Sequence, residues 1–215
     1  MLVLHYHPLS SYCMKALIAL YEHEVRFTPK LVDLSDPAQR AELAQIWPMI
    51  KFPVLRDEAS DRTIPEATII IEYLEQYHPG PAPLIPRDPA LAWQTRLRDR
   101  FYDLHVQSPM QKIVGDRLRP ADRHDPHGVE EAISSLRGAC AFVDGEMATR
   151  TWANGDAFSM ADCAAAPALF YADKVLPFGD QNFNNARAYL GRLMERPSFA
   201  RVLAEAQPYF AMFPA

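Results

Sequence analysis

Residues 2–20, LVLHYHPLSSYCMKALIAL, change their hydrophobic period halfway along. The first residues follow the period of two that is typical of a short strand, with Leu2, Leu4 and Tyr6 in alternate positions. After Tyr12 the period becomes helical, and one face carries Cys13, Ala16, Leu17 and Leu20. Between strand and helix lie Ser10 and Ser11, whose side chains are suited to cap a helix N-terminus. Such a turn presents free N–H groups and the positive end of a helix dipole, so it predicts an anion site.

The composition is typical of a soluble globular protein. The chain has 215 residues, enough for a well-buried core and two modest domains, with 49% hydrophobic and 23% charged residues. The net charge of -5 argues against a nucleic-acid partner, and neither a membrane-length apolar run nor a signal peptide is present. Three cysteines without paired spacing favour reduced thiols, and hence a cytoplasmic location.

Residues 1–78 predict the element order βαβαββα. Alternation over residues 25–31 indicates a second strand, which Pro29 confines to a sheet edge. A helix follows from Asp36-Pro37, then a strand at residues 52–55 and a short strand ending at Ile64. Residues 65–68 open the next helix.

A proline-rich connector, HPGPAP at residues 78–83, ends this pattern. We therefore predict an N-terminal α/β domain at residues 1–78, a linker at 79–87 and an all-helical domain at 88–215. The first helix of the second domain starts at Asp88-Pro89, and Pro109 should end or kink it. Its apolar residues at helical spacing are Leu97, Phe101 and Leu104. Ser159-x-x-Asp162 has the spacing of a capping box.

Four segments together make the whole chain resemble the cytosolic glutathione transferases of the serine-type classes. They are Ser10-Ser11-Tyr12-Cys13, the run PMIKFPVL at residues 48–55, the run IPEATIIIEYL at residues 64–74, and the Ser159–Asp162 box. The resemblance implies a thioredoxin-like N-terminal domain, a helical C-terminal domain and a two-fold homodimer. It implies glutathione as co-substrate and, as second substrate, a small hydrophobic electrophile, in a detoxification reaction.

The resemblance also implies a hydroxyl that holds the glutathione sulfur as a thiolate. A thiol of pKa ~8.5 is only slightly ionised at neutral pH, and one hydrogen bond to the thiolate of ~1.5–3 kcal/mol lowers that pKa by one to two units. Ser10 is the first candidate. Ser11 and Tyr6 remain alternatives, because the turn can shift by one residue and Tyr6 resembles the catalytic tyrosine of other classes. Cys13 lies on the apolar stripe and is interpreted as a core thiol.

Further residues would bind the rest of glutathione. Phe52, placed before a cis Pro53, would offer its backbone to the cysteinyl part, while Lys51 could reach the glycyl carboxylate. Glu66 would hold the γ-glutamyl ammonium. Ala67 stands where the family has a serine that binds the γ-glutamyl carboxylate, so we expect a weaker site unless Thr68 or backbone N–H groups compensate. The chain also departs from the family pattern at Trp47 and Ile50.

The second substrate is expected in an apolar cleft between the domains. Its candidate walls are Leu9, Phe101, Tyr102, His105 and the tail aromatics Tyr209, Phe210 and Phe213. No metal site is predicted, since the two histidines at residues 124–127 lie in a polar loop. Two other functions stay open: a glutathione-dependent isomerase or reductive enzyme that regenerates glutathione, and a non-catalytic ligand-binding protein of the same fold.

Overall fold

The computed structural model describes residues 1–214, and its N-terminal part contains a four-stranded mixed sheet. The strands are β1 (Leu2–Tyr6), β2 (Thr28–Leu31), β3 (Val54–Asp57) and β4 (Arg62–Pro65), in the spatial order β2-β1-β3-β4. β1 pairs in parallel with β2, whereas β3 is antiparallel to both β1 and β4. This is the predicted thioredoxin-like arrangement, which is thereby confirmed.

The remaining elements are helices. Three accompany the sheet: α1 (Ser11–Glu22), α2 (Pro37–Ile46) and α3 (Ala67–Tyr77). The all-helical region contains α4 (Pro89–Phe101), α5 (Ser108–Arg117), α6 (Pro126–Met147), α7 (Met160–Val175), α8 (Asn184–Glu195) and α9 (Pro197–Ala206). A π-helical segment, Tyr102–Gln107, joins α4 to α5, and 3-10 turns occupy Ala121–Arg123 and Gln207–Met212. No helix within residues 1–214 is long and apolar enough to span a bilayer.

Helix α1 lies at the centre of the molecule. Every residue at positions 13–20 is at most 2% exposed, because α1 packs on α3 on one side and on α7 and α9 on the other. The sequence pattern predicted only one buried face. A helix that is buried all round places its N-terminal turn at the junction of the sheet and the helical region.

Two predicted elements differ in detail from the structure. β2 begins at Thr28 and not at residue 25, because the N–H of Val25 bonds to the carbonyl of Leu20 and closes the turn after α1. β2 is an edge strand, as Pro29 predicted. The apolar stripe predicted for the first helix after the linker points outward: Leu97 of α4 and Leu104 of the π-helical segment are 58% and 56% exposed, while the buried face of α4 carries small and polar side chains. Pro109 lies in the first turn of α5 and therefore ends no helix.

Candidate functional site

One cleft, with a volume of about 610 Å³, lies between the sheet domain and the helical region. It is lined by residues of the β3 entry, the start of α3, the α4–α5 region and the first turn of α1. All six residues that the sequence assigned to glutathione binding line this cleft: Lys51, Phe52, Pro53, Glu66, Ala67 and Thr68. The structure thus brings together residues that two separate motifs supplied, the run at residues 48–55 and the run at residues 64–74.

The β3 edge of the cleft is shaped by the backbone before the strand. The Phe52–Pro53 peptide is cis, as the resemblance implied. Ile50 adopts a φ of +54°, in the left-handed region that favours glycine. This backbone angle gives a physical reason why glycine is frequent at this position in the family pattern.

The start of α3 forms another wall of the cleft. Glu66 precedes the helix with a φ of +69°, and its carboxylate makes no capping hydrogen bond to α3. A non-glycine residue in such a conformation costs of order 1–3 kcal/mol, a strain that clusters at functional sites. Glu66 thus lines the cleft with a carboxylate that is not used to cap α3.

The three candidate hydroxyls occupy different surroundings. Ser10 is the N-cap of α1, and its Oγ accepts the N–H of Cys13 at 3.3 Å. Ser11 is only 5% exposed. Tyr6 lines a separate cleft beside Tyr21 and Glu205, and burial raises its pKa. None of these three is among the residues that line the cleft described above.

Tyr12, in the first turn of α1, lines the cleft. It is not among the site residues predicted from the sequence. Burial, with a further contribution from Asp103, raises the pKa of Tyr12 to about 12, so its hydroxyl is protonated at neutral pH. Cys13 is completely buried, and burial raises the pKa of its thiol to about 12. A thiol in that state is a poor nucleophile, which agrees with the core role predicted for Cys13.

A cluster of charged side chains extends from the wall of the cleft into the core. Lys15 of α1 is 1% exposed, and its Nζ lies 2.6 Å from Asp99 Oδ1 and 2.8 Å from Asp103 Oδ2. Lys15 also donates to Thr68 Oγ1 at 2.9 Å, which links α1, α3 and α4. Burial raises the pKa of Asp103, and Arg100 forms ion pairs with both aspartates.

These charged residues are not among the predicted site residues, although the sequence carries a signal for some of them. Lys15 is the one charged side chain at positions 11–21, in an otherwise apolar helix, and such a lysine needs an ionic partner when it is buried. Asp99 and Asp103 have i, i+4 spacing and therefore share a helix face. Nothing local, however, indicates that this face meets Lys15.

The residues proposed as apolar walls are dispersed. Phe101 and His105 line a groove of about 510 Å³ between the α4–α5 region and α6, where Phe101 packs on Phe142. Tyr102 is 4% exposed and lies in the core of the helical region. The side of the cleft formed by the helical region is mainly polar, and Leu104 is its apolar exception. The polar side chains there include Asp99, Arg100, Asp103 and Gln111.

The tail aromatics surround the turn between β1 and α1. Tyr209 packs edge-on against His7 at 5.6 Å between ring centroids, and the other side of His7 faces the Phe52 ring at 6.1 Å. Tyr171 donates a hydrogen bond to the carbonyl of Leu9 at 2.8 Å and stacks on Phe213. Phe210 packs on Phe170. The turn that leads to Ser10 is therefore held between the cis-proline loop and the C-terminal segment.

Comparisons with known proteins agree with this architecture. The sequence model described as "Glutathione S-transferase, N-terminal domain" matches residues 4–82, and that described as "Glutathione S-transferase, C-terminal domain" matches residues 126–196. The chain resembles a glutathione S-transferase from Methylobacillus flagellatus solved with glutathione bound, with a TM-score of 0.86, 26% identity and coverage of 94% of this chain and 98% of the other. A glutathione S-transferase from Methylobacterium radiotolerans in complex with glutathione sulfonate gives a TM-score of 0.81, 27% identity and coverage of 94% and 93%. Among relatives by sequence, FtsZ-localized protein A of Caulobacter vibrioides is 28% identical, over 97% of this chain and 93% of that protein.

Proposed function

Because the chain belongs to the glutathione S-transferase family, we propose that its cleft binds glutathione and activates the thiol for attack on an electrophilic carbon. The observation that carries the proposal is the convergence of all six predicted glutathione-binding residues on one cleft. The cysteinyl part would pair with the backbone at Phe52, beside the cis Pro53. The γ-glutamyl part would lie at the start of α3, near Glu66, and Lys51 would face the glycyl carboxylate.

Ser10 is the hydroxyl that we assign to the sulfur. Ser11 is buried, and Tyr6 opens into another cleft, so both fit the role less well. Ser10 already accepts one hydrogen bond through its Oγ and lies close to the Cys13 thiol, so donation of its hydroxyl hydrogen to the glutathione sulfur would replace its interaction with that thiol. The contact between His7 and Phe52 brings the turn before Ser10 close to the cis-proline loop, where the sulfur would lie.

The reaction itself needs few protein groups. The glutathione thiol loses its proton to solvent, and a hydrogen bond from Ser10 with the dipole of α1 favours the thiolate. The thiolate sulfur then forms a bond to the electrophilic carbon while a leaving group departs with the bonding electron pair. Tyr12, protonated at neutral pH, follows Ser10 by two residues, lines the cleft itself and is the competing donor.

A second candidate function is that of a binding protein without transferase activity. Two observations favour it: Ala67 lacks the hydroxyl expected for the γ-glutamyl carboxylate, and the similarity to FtsZ-localized protein A extends over 97% of the chain. An isomerase or reductive enzyme that regenerates glutathione is the remaining alternative.

Calorimetric titration with glutathione, followed by an assay with a chromogenic aryl halide, separates these functions. A transferase should bind glutathione below millimolar concentration and consume it as the conjugate forms. Binding without consumption, when a range of electrophiles is offered, would favour the isomerase or the binding protein. Absence of binding at millimolar glutathione would contradict the proposed site.

A further inference from the structure

Resting on the proposed glutathione site, we propose that Arg100 of α4 binds the α-carboxylate of the γ-glutamyl residue and replaces the hydroxyl that Ala67 lacks. Arg100 belongs to the helical region, so this assignment makes part of glutathione recognition depend on contact between the two parts of the molecule. It also makes Arg100 a determinant of specificity for ligands that carry this carboxylate.

Thr68 cannot take the place of the missing serine in this geometry. Its Oγ1 accepts hydrogen bonds from Lys15 Nζ at 2.9 Å and from Arg100 Nη2, and its hydroxyl donates to Asp99 Oδ2 at 2.8 Å. A hydroxyl has one hydrogen to donate and two lone pairs to accept with. All hydrogen-bonding positions of the Thr68 side chain are therefore occupied within the protein, and the side chain of Ala67 has no polar atom.

The guanidinium of Arg100 lies where the carboxylate needs a donor. Its contact with Thr68 Oγ1 places it beside the first turn of α3, and its side chain is 47% exposed at the cleft. Nε and Nη2 donate to Asp99 at 3.1 and 2.8 Å, and Nη2 also contacts Asp103. Within residues 1–214, no atom accepts a hydrogen bond from Nη1 of Arg100. Two of the five N–H groups of the guanidinium are therefore directed at no protein acceptor.

The surrounding charges suit a zwitterionic ligand group. Lys15 and Arg100 carry two positive charges, and Asp99 and Asp103 can carry two negative charges, so the set is close to neutral. The two aspartates hold one edge of the guanidinium in place and leave the Nη1 side open. A γ-glutamyl head brings one carboxylate and one ammonium, and therefore adds no net charge to this set. Glu66, at the same end of the cleft, is the nearby acceptor for the ammonium.

Two ligands distinguish a binding role of Arg100 from a structural one. The first is glutathione; the second is its analogue 4-aminobutanoyl-cysteinylglycine, which lacks only the α-carboxylate of the γ-glutamyl residue. Calorimetric titration of the full chain should show that Arg100→Met weakens glutathione binding by roughly ten- to a hundredfold, the range for one hydrogen bond between charged groups. The affinity of Arg100→Met for the analogue should equal that of the unmodified chain.

Two further variants keep the test decisive. Ala67→Ser, added to Arg100→Met, should recover part of the glutathione affinity and leave the affinity for the analogue unchanged. If Arg100→Met is too unstable to titrate, Arg100→Lys serves instead: it keeps the charge but loses the guanidinium fork, and should lower only the affinity for glutathione. Arg98→Met is the matched control, because Arg98 lies on the same helix, pairs with Glu146 and is not among the residues that line the cleft.

The outcomes separate the two proposals. Equal loss of affinity for both ligands in Arg100→Met, or no loss for either, would overturn the assignment of Arg100 while leaving the glutathione site standing. If the unmodified chain binds the analogue as tightly as glutathione, no residue contributes affinity through the α-carboxylate, and the assignment of Arg100 is wrong. If the unmodified chain binds neither ligand, the proposed glutathione site fails, and the assignment of Arg100 fails with it.

Discussion

Ser10 combines a structural contact with the proposed chemical one. Its Oγ accepts the N–H of Cys13 at 3.3 Å and so caps α1, while its hydroxyl hydrogen is the donor proposed for the ligand sulfur. A cap of this kind contributes about 1 kcal/mol to stability. The two roles can be separated, because one needs an acceptor and the other a donor.

For Ser10→Ala we expect a loss of both roles: about 1 kcal/mol of stability and a ten- to hundredfold lower kcat/KM, from one hydrogen bond to the thiolate. Ser10→Asp should keep the cap, because a carboxylate accepts the same N–H, but lose the activity, because it has no proton to donate at neutral pH. Urea denaturation and the aryl-halide assay measure the two effects. Wild-type kcat/KM in Ser10→Ala would move the assignment to Tyr12, which Tyr12→Phe then tests.

Asp57 should give the stability of the protein an identifiable dependence on pH. Hydrogen bonds from Tyr73 Oη at 2.6 Å and Ser60 Oγ at 2.9 Å lower the pKa of Asp57 from 3.8 to about 2. A carboxylate whose pKa is lower in the folded state stabilises the fold fully above its unfolded pKa, and this stabilisation is lost as the pH falls through the folded pKa.

We therefore expect Asp57→Asn to be less stable than the unmodified chain by a constant amount above about pH 5, with the difference shrinking between about pH 4 and pH 2. Urea midpoints measured across this range give the comparison. Two curves that stay parallel down to pH 2 would show that Asp57 does not carry this contribution.

At the scale of elements, α7 depends on one buried carboxylate at its start. Asp162 is 0% exposed, and burial raises its pKa. Its Oδ2 accepts the N–H and hydroxyl of Ser159, both at 2.9 Å. Its Oδ1 accepts the N–H of Ala153 at 2.8 Å and the hydroxyl of Tyr189 at 2.5 Å. The predicted capping box is thus present, and the same side chain also ties α7 to α8.

Asp162→Ala should destabilise the fold by at least about 4 kcal/mol, because four buried donors lose their acceptor and each costs ~1–3 kcal/mol. Ser159→Ala, which removes only the serine hydroxyl, is the milder companion and should cost about 1 kcal/mol. Urea denaturation of both variants provides the measurement. A loss below 1 kcal/mol in Asp162→Ala would mean that water replaces the carboxylate, contrary to its observed burial.

At the scale of the whole molecule, α3 and α4 leave large apolar side chains exposed. Ile69, Trp93 and Leu97 are 52%, 57% and 58% exposed, although each lies on a helix of the core. Trp93 and Leu97 lie one turn apart on α4, and the ion pair between Glu72 and Arg96 joins α4 to α3. Exposed apolar residues grouped on such a surface are typical of contact surfaces. We propose that these two helices form the interface of a two-fold homodimer, in which the same surface of each copy meets its counterpart.

Trp93→Glu should convert the dimer to a monomer, because it places a charge in an apolar interface. Light scattering should then change from twice the chain mass of 24.4 kDa to that mass. Leu118→Glu is the matched control, because Leu118 is 69% exposed but follows α5 and lies on neither α3 nor α4. The mass of the Leu118→Glu variant in solution should equal that of the unmodified chain. A monomeric unmodified chain, or a Trp93→Glu variant that remains dimeric, would contradict this interface.

The sequence by itself determined the element order and the residues that gather at the β3 and α3 edges of the cleft. These features are local: caps, prolines and periodicity act within a few residues, and the motif around Pro53 lies only about a dozen positions before the one around Glu66. The capping box at Ser159–Asp162 could be predicted for the same reason. The resemblance to a family then assigned roles to these positions.

Only the tertiary structure decided which charges meet. Lys15 and Asp103 are 88 positions apart, and no periodicity relates them. The structure also decided that Thr68 is fully hydrogen-bonded, that Tyr12 faces the cleft, and that the apolar stripe of α4 points outward. The physical reason is that a sequence pattern shows which side chains share a face, whereas the partner of that face depends on how distant elements pack.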